Sequence, residues 1–313
     1  MKKRFIVACL AASLLLPTPA YAWNETGHKV VTLIAWDQMK PQTRSAVIAL
    51  LKQAPPDADL VKLFPDDSRP LAEREREFFL RASTWSDIVR DNDFPERRKK
   101  FHHSTWHFIN FFFDQSGPGG AARDRTDLSP ETENVVERLL RFQSSIADSS
   151  QPASQRAIEL AWMLHLTGDI HQPLHCSARA TRSEPQGDRG GNLFLLKQDT
   201  PLNNLHSFWD GILNRTFRKR TGETEQAFLQ KIADFIVARH PKSSLEARIN
   251  AGQFEAWAKE GHATTKASVY PRSLRRNQTP SQTYRQNAAR IAEPAIALAG
   301  YRLAEMLDRL FGS

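Results

Sequence analysis

The sequence predicts an all-α fold, a single-domain multi-helix bundle with minor short β-hairpin elements. Three observations carry that expectation. Apolar residues recur with helical spacing through most of the chain. Strand signals are confined to two short segments. Glycine, proline and polar punctuation clusters in three places, and helical runs with apolar faces resume directly on each side of them.

The chain opens with Lys2, Lys3 and Arg4, an apolar run from Phe5 to Leu16, and a small-residue site at Ala20-Tyr21-Ala22. These are the zones of a secretory signal peptide, so residues 1–22 are expected to be removed and residues 23–313 to form one domain beginning at Trp23. The apolar run is shorter than the ~20 residues that span a bilayer, which argues against a stable membrane anchor. Ile6-Val7-Ala8-Cys9 has a loose likeness to a lipoprotein site, but cleavage there leaves too short an apolar run before it. A periplasmic or secreted location follows.

Helical periodicity is expected at roughly 27–39, 42–53, 71–90, 130–148, 153–171, 203–215, 223–238, 244–262 and 280–311. Trp106 to Phe111 looks extended and buried, and Asn192 to Leu196 looks like one arm of a small hairpin. Loops are expected at Gly117-Pro118-Gly119-Gly120, across the polar stretch 177–192, and from Tyr270 to Gln282. There is no internal repeat and no low-complexity segment.

Removing the signal leaves 291 residues, enough to bury a sizeable core, and lowers the formal charge from +8 to +5. That excess suits a polyanionic partner and is equally ordinary for a solvated surface. The basic run from Arg215 to Arg220 reads first as solvated surface, with guidance of a polyanion as the alternative. Cys9 leaves with the signal, so Cys176 has no disulfide partner and reads as a small buried filler.

Chemistry concentrates in His165-Leu-Thr-Gly-Asp169-Ile-His171-Gln-Pro173-Leu-His175. Positions i and i+4 share a helix face about 6 Å apart, so His165 and Asp169 can grip one ion. His171 lies off that face and is not expected to share their metal. Pro173 breaks the helix and lets His175 turn back. A second i, i+4 pair is His206 and Asp210. Two such pairs plus His175, in a chain of ten histidines, point to a divalent cation, and imidazole with carboxylate is what zinc favours where cysteine is absent. Asp87, His107 and His28 are further candidates, each alone more readily structural. His102, His103, His240 and His262 read as structural.

With these residues in order, the chain resembles the zinc-dependent S1/P1 nucleases, as a bacterial member; that family shares a fold with zinc-dependent phospholipase C. The resemblance runs from Trp23-Asn24-Glu25-Thr26-Gly27-His28 to Ala299-Gly300-Tyr301-Arg302-Leu303-Ala304. It implies three zinc ions. One is chelated by the α-amino nitrogen and carbonyl oxygen of Trp23 with His28; a second takes Asp87, His107, His165 and Asp169, with Asp169 bridging to the first; a third takes His175, His206 and Asp210. An α-amino group with pKa near ~8 needs only modest help from a metal to act as a neutral donor.

The same resemblance implies an endonuclease that hydrolyses single-stranded DNA and RNA to 5′-phosphate products, with 3′-mononucleotides as further candidate substrates and a monomeric state. Asp87 and Asp169 then belong to the catalytic centre as well as to the ligand set. Arg90, at a position where the family holds Lys or Arg, is expected to reach a phosphate oxygen. Phe108 matches a residue that stacks on the nucleobase, with a buried core phenylalanine as the alternative; apart from the resemblance, Asn192 follows two glycines that either bring it toward the site or serve only the turn. Fungal members carry Asp where this chain has Asn110; an amide orients water but takes no proton near neutral pH.

Two alternatives stand beside this reading. A zinc-dependent phospholipase C has the same metal arrangement, but the short interval from Trp23 to His28 and the Asp at 210, where phospholipases have Glu, favour the nuclease. A non-catalytic zinc-binding periplasmic protein would close its sites with four protein ligands, whereas His175, His206 and Asp210 leave one position open.

Overall fold

The computed structural model describes residues 23–197 and 203–312; the expected signal segment, with Cys9, lies outside them. The all-α expectation holds. Among the described residues there are thirteen α-helices and one three-stranded sheet of short strands. Helix α1 (Glu25–Gln38) starts where the Asn24 side chain accepts the Gly27 N–H at 3.2 Å. Helix α2 (Pro41–Leu51) opens on a proline at its first turn, where the missing N–H costs nothing. One contiguous apolar cluster runs from Trp23 to Leu307. No described helix is long and apolar enough to cross a membrane.

The run expected as one helix over 71–90 is two, α3 (Leu71–Ala82) and α4 (Trp85–Ile88). At the break the Ser83 hydroxyl donates to the Leu80 carbonyl at 2.7 Å and the Thr84 hydroxyl to that of Arg81 at 2.8 Å. Such back-bonding competes with the helical ladder. A short helix α5 (Pro95–Phe101) follows in what the sequence offers only as a basic run.

The segment expected to be extended over 106–111 instead passes through a tight 3₁₀ turn, Ser104–His107, and only then enters strand β1 (Phe111–Asp114). Its course is set by residue 175: Ile109 N–H donates to the His175 carbonyl at 2.8 Å. Strand β2 (Arg123–Asp124) pairs antiparallel with β1.

Helix α6 (Val135–Ala147) begins five residues later than expected, capped by Asn134, and packs against α7 (Ala153–Asp169), close to the expected 153–171. The polar stretch after residue 176 holds a strand the sequence did not announce, β3 (Ser177–Ala180), parallel to β1 with Phe111 opposite Ser177. All four of its residues are buried. Ser-Ala-Arg-Ala carries no apolar alternation, so this burial is imposed from outside the strand. The expected hairpin arm at 192–196 amounts to one antiparallel bridge between Leu195 and Asn204.

The helix expected over 203–215 breaks at Gly211 into α8 (Leu205–Asp210) and α9 (Ile212–Thr216). Helix α10 (Glu225–Arg239) matches its expected run. The helix expected over 244–262 also splits, into α11 (Lys242–Leu245) and α12 (Phe254–Thr264), which loosens into a π-helical turn over Thr265–Val269. Between them Asn250 and Gly252 take φ of 37° and 86°. Helix α13 (Gln282–Phe311) packs along α1.

Candidate metal centre

The carboxyl end of α7 carries His165 and Asp169 on one face, as their spacing requires. Around Asp169 gather His107 from the 3₁₀ turn, with Nδ1 at 2.9 Å from Oδ2, and His28 from α1, with Nε2 at 3.3 Å from Oδ1. His165 Nε2 stands 3.3 Å from Asp169 Oδ2 and 3.8 Å from Oδ1 of Asp87 on α4. A second group joins His175 to the i, i+4 pair on α8: His206 Nε2 lies 3.6 Å from Asp210 Oδ2, and His175 Nε2 4.0 Å from Oδ1. The two groups adjoin, since His175 Nδ1 donates to the His107 carbonyl at 2.7 Å.

Three imidazoles are aimed by backbone carbonyls. Nδ1 of His165 donates to Ser83 O at 2.8 Å, that of His175 to His107 O at 2.7 Å, and that of His206 to Gly190 O at 2.7 Å. A carbonyl only accepts, so each Nδ1 carries a proton and Nε2 is the atom turned toward the carboxylates of its group. The helix break at Ser83 is what exposes that carbonyl to His165.

Two glycines make room. A Cβ on Gly168 would sit 2.7 Å from His28 Nδ1 and 3.7 Å from Cδ1 of the fully buried Trp23. Gly190 has φ +58°, and a Cβ there would meet the Leu174 carbonyl at 2.4 Å.

Burial holds the imidazoles of His28 and His107 well below their usual range, reinforced for His28 by His165 and for His107 by Arg90. Both are therefore neutral donors. Burial pushes the Asp169 carboxyl up to about 6 against the pull of His165, and pushes Asp210 well above the carboxylate range. Both nitrogens of His28, Oδ1 of Asp169 and Oδ2 of Asp210 are buried without a hydrogen bond. Neutral imidazoles and buried carboxylate oxygens with unspent lone pairs fit divalent cations. Three such groups meet the geometry for a metal: His28, Asp87 and His165; His107, His165 and Asp169; His175, His206 and Asp210.

Arg90 joins the first cluster, its guanidinium 2.6 Å from Asp87 Oδ1 and 3.1 Å from His107 Nε2. Phe108 is half-buried next to His107. Asn110 is held by a residue the sequence did not single out: Glu131 accepts its side-chain amide at 2.6 Å and its backbone N–H at 3.2 Å. Glu131 lay hidden in the expected start of a helix that begins only at Val135. Asn192 spends its amide on its own turn, donating to Arg189 O at 2.8 Å.

His171 stands apart from the metal groups, as expected, with Nδ1 donating to Thr167 O at 2.7 Å and Nε2 accepting from Arg302 at 2.8 Å. His262, for which the sequence offered no partner, bridges the Ser177 hydroxyl at 2.8 Å and Asp124 at 2.9 Å. Cys176 is a buried filler whose thiol burial pushes far above its usual range.

Comparison with known proteins bears on this arrangement. The family model described as S1/P1 Nuclease matches residues 23–312. Nuclease S1 of Aspergillus oryzae is 24% identical over 311 residues, covering 95% of each chain. Endonuclease 2 of Arabidopsis thaliana is 23% identical over 332 residues, covering 98% of this chain and 97% of its own. Nuclease P1 of Penicillium citrinum is 26% identical over 191 residues, covering 57% of this chain and 67% of its own. With the family match spanning nearly all of its length and the described His and Asp side chains grouped for metal, the chain belongs to the S1/P1 nuclease family and is a nuclease.

Proposed function

We propose that residues 23–313 form one secreted or periplasmic, monomeric domain that uses three zinc ions to cut phosphodiester bonds in single-stranded DNA and RNA. The observation that carries this reading is the meeting of eight His and Asp side chains, all buried but the half-buried Asp87, from six separate chain segments in two adjoining groups. Trp23 and His28 would hold one ion with Asp169, and Asp87, His107, His165 and Asp169 a second; His175, His206 and Asp210 would hold the third. Bound there, zinc lowers the pKa of water toward neutrality and offsets charge developing on phosphoryl oxygens.

The chain's own residues divide the remaining work. Arg90, poised beside Asp87 and His107, offers a guanidinium to a phosphate oxygen. Phe108 offers its ring to a nucleobase, a contact worth ~1–3 kcal/mol that accepts any base but not one locked in a duplex. Asn110, fixed by Glu131, orients a hydrogen-bonding partner without taking its proton. Products carry 5′-phosphates, and 3′-mononucleotides are dephosphorylated at the same centre.

Metal analysis with N-terminal sequencing of the exported protein tests the core of this reading. The expected result is three zinc ions per chain that begins at Trp23, and a chelator that abolishes activity and lowers Tm together. Full activity without metal overturns it. Parallel assays on single-stranded DNA, RNA and phosphatidylcholine separate nuclease from phospholipase; no turnover of any of them with full metal content identifies a non-catalytic zinc protein.

A further inference from the structure

The basic run Arg215-Thr-Phe-Arg-Lys-Arg220 reads in sequence as solvated surface, but in the structure it leaves the helix that ends in Asp210 by a short tether and is pinned. It follows directly on Asp210 through α9. Asn24, next to Trp23, donates its backbone N–H to Asp210 O at 3.0 Å and its side-chain amide to Asn214 Oδ1 at 2.7 Å. Chain length alone then keeps Arg218 within ~20 Å of Asp210.

The turn itself is rigidly tied. Phe217 meets the Phe235 ring edge-on at 5.2 Å. Glu223 accepts the Arg220 N–H at 2.8 Å and takes Lys231 on both carboxylate oxygens, at 2.7 and 3.0 Å, while Lys231 also reaches the Arg218 carbonyl at 3.3 Å. Of the nearby acids, Glu223 is held by Lys231, while Glu25 and Glu225 share the single ammonium of Lys29, at 2.5 and 2.7 Å. The side chains of Arg218, Lys219 and Arg220 are exposed, and Arg220 adds its charge to the pull that Lys231 exerts on Glu223. Three exposed cations on a pinned turn, beside a Glu223 that Lys231 already holds, outnumber the carboxylate charge left around them and form a net positive surface for a polyanion.

We propose that Arg218, Lys219 and Arg220 clamp the phosphates of a single strand a few nucleotides from the bond being cut, so that the enzyme favours oligonucleotides over dinucleotides. The proposal rests on the nuclease reading above. The test compares the zinc-loaded wild-type protein with its R218Q/K219Q/R220Q variant on a 20-nucleotide oligothymidylate and on a dinucleotide at several salt concentrations. Because each phosphate contact on a single strand contributes ~0.7 to the log–log salt slope, losing three should flatten that slope by about 2 and raise KM for the 20-mer about tenfold at low salt. The dinucleotide kinetics and Tm should not change.

Unchanged 20-mer kinetics, or an equal shift on both substrates, overturns the clamp. Fluorescence anisotropy of a labelled 20-mer gives a readout independent of cleavage. If wild-type protein cuts neither substrate, the nuclease reading fails, and the anisotropy decides the clamp alone: weaker, less salt-dependent binding by the variant upholds it, and equal binding overturns it.

Discussion

Gln172 donates its side-chain amide to Oδ1 of Asp210 at 2.8 Å, while its own Oε1 accepts the Leu174 N–H at 2.7 Å. The glutamine is fully buried and thus bridges the turn that presents His175 to the carboxylate on α8. It occupies one oxygen of Asp210 and leaves Oδ2 toward the site. Hydrogen bonds of this kind orient metal ligands, and their loss typically costs about 10–100-fold in affinity. Gln172→Ala should therefore weaken the His175, His206 and Asp210 site by that order and spare the other ions, as read by chelator competition with metal counting. Uniform loss of all metal would refute the positioning role.

Gly168→Ala probes the packing of α7 against the N-terminal helix. The new Cβ would stand 2.7 Å from His28 Nδ1 and 3.0 Å from Cε1, with fully buried surroundings on both sides. Overpacking of this order costs about 1–3 kcal/mol. A lower Tm in metal-free protein is expected, together with weaker binding of the ion assigned to His28. An unchanged Tm would mean that α1 can back away without cost.

These two sites show where sequence reading succeeds and where it stops. His165 with Asp169, and His206 with Asp210, were legible because the helical repeat alone puts i and i+4 on one face. The helix breaks at Ser83, Gly211 and 249–253 were not, because distant donors recruit the carbonyls there: His165 takes Ser83 O, Asn24 takes Asp210 O, and Arg302 takes Arg248 O and Ile249 O. Glu131 and Gln172 escaped for the same reason, since each matters through a partner far away in sequence. The strand β3 is set by its register with β1, which no pattern in Ser-Ala-Arg-Ala encodes.

Arg302 is the clearest case of a distant donor shaping the fold. Its fully buried guanidinium donates to Arg248 O at 2.6 Å, to Glu260 at 2.8 Å and to His171 Nε2 at 2.8 Å. Replacement by Met strands the Arg248 and Ile249 carbonyls, while the partly exposed Glu260 keeps Arg248 at 3.1 Å, and each buried acceptor left unsatisfied costs about 1–3 kcal/mol. Arg302→Lys should rescue little, because one ammonium cannot serve this fork of acceptors. Urea unfolding of both variants is the measurement; near-wild-type midpoints would show the network to be dispensable.

Stability should depend on pH through His262. Burial lowers its pKa from 6.5 despite the opposing pull of Asp124. The folded state then binds fewer protons than the unfolded chain, so the contribution of His262 is full above about pH 6.5 and is lost as pH falls below it. His262→Asn should cost stability at pH 7.5, through lost bonds to Ser177 and Asp124, and cost progressively less at lower pH. Thermal melts of the metal-free proteins across that range check this, and a difference independent of pH would show that His262 does not titrate in the fold.

Asn110 and Glu131 allow a reciprocal test. In Asn110→Asp the 2.6 Å hydrogen bond becomes a contact between two carboxylates, and like charges that close cannot both ionise without cost. The single variant should lose about 1–2 kcal/mol of stability near neutral pH, where both acids would otherwise be charged. Glu131→Gln added to it restores a donor and should recover most of that loss, giving a coupling energy of opposite sign in a double-mutant cycle. The double variant then presents an ionised aspartate, held by the amide introduced at position 131, three residues after His107. If a carboxylate there assists water, kcat rises with an acid-limb pKa that wild type lacks; an unchanged rate and profile would show that this position orients substrate and transfers no proton.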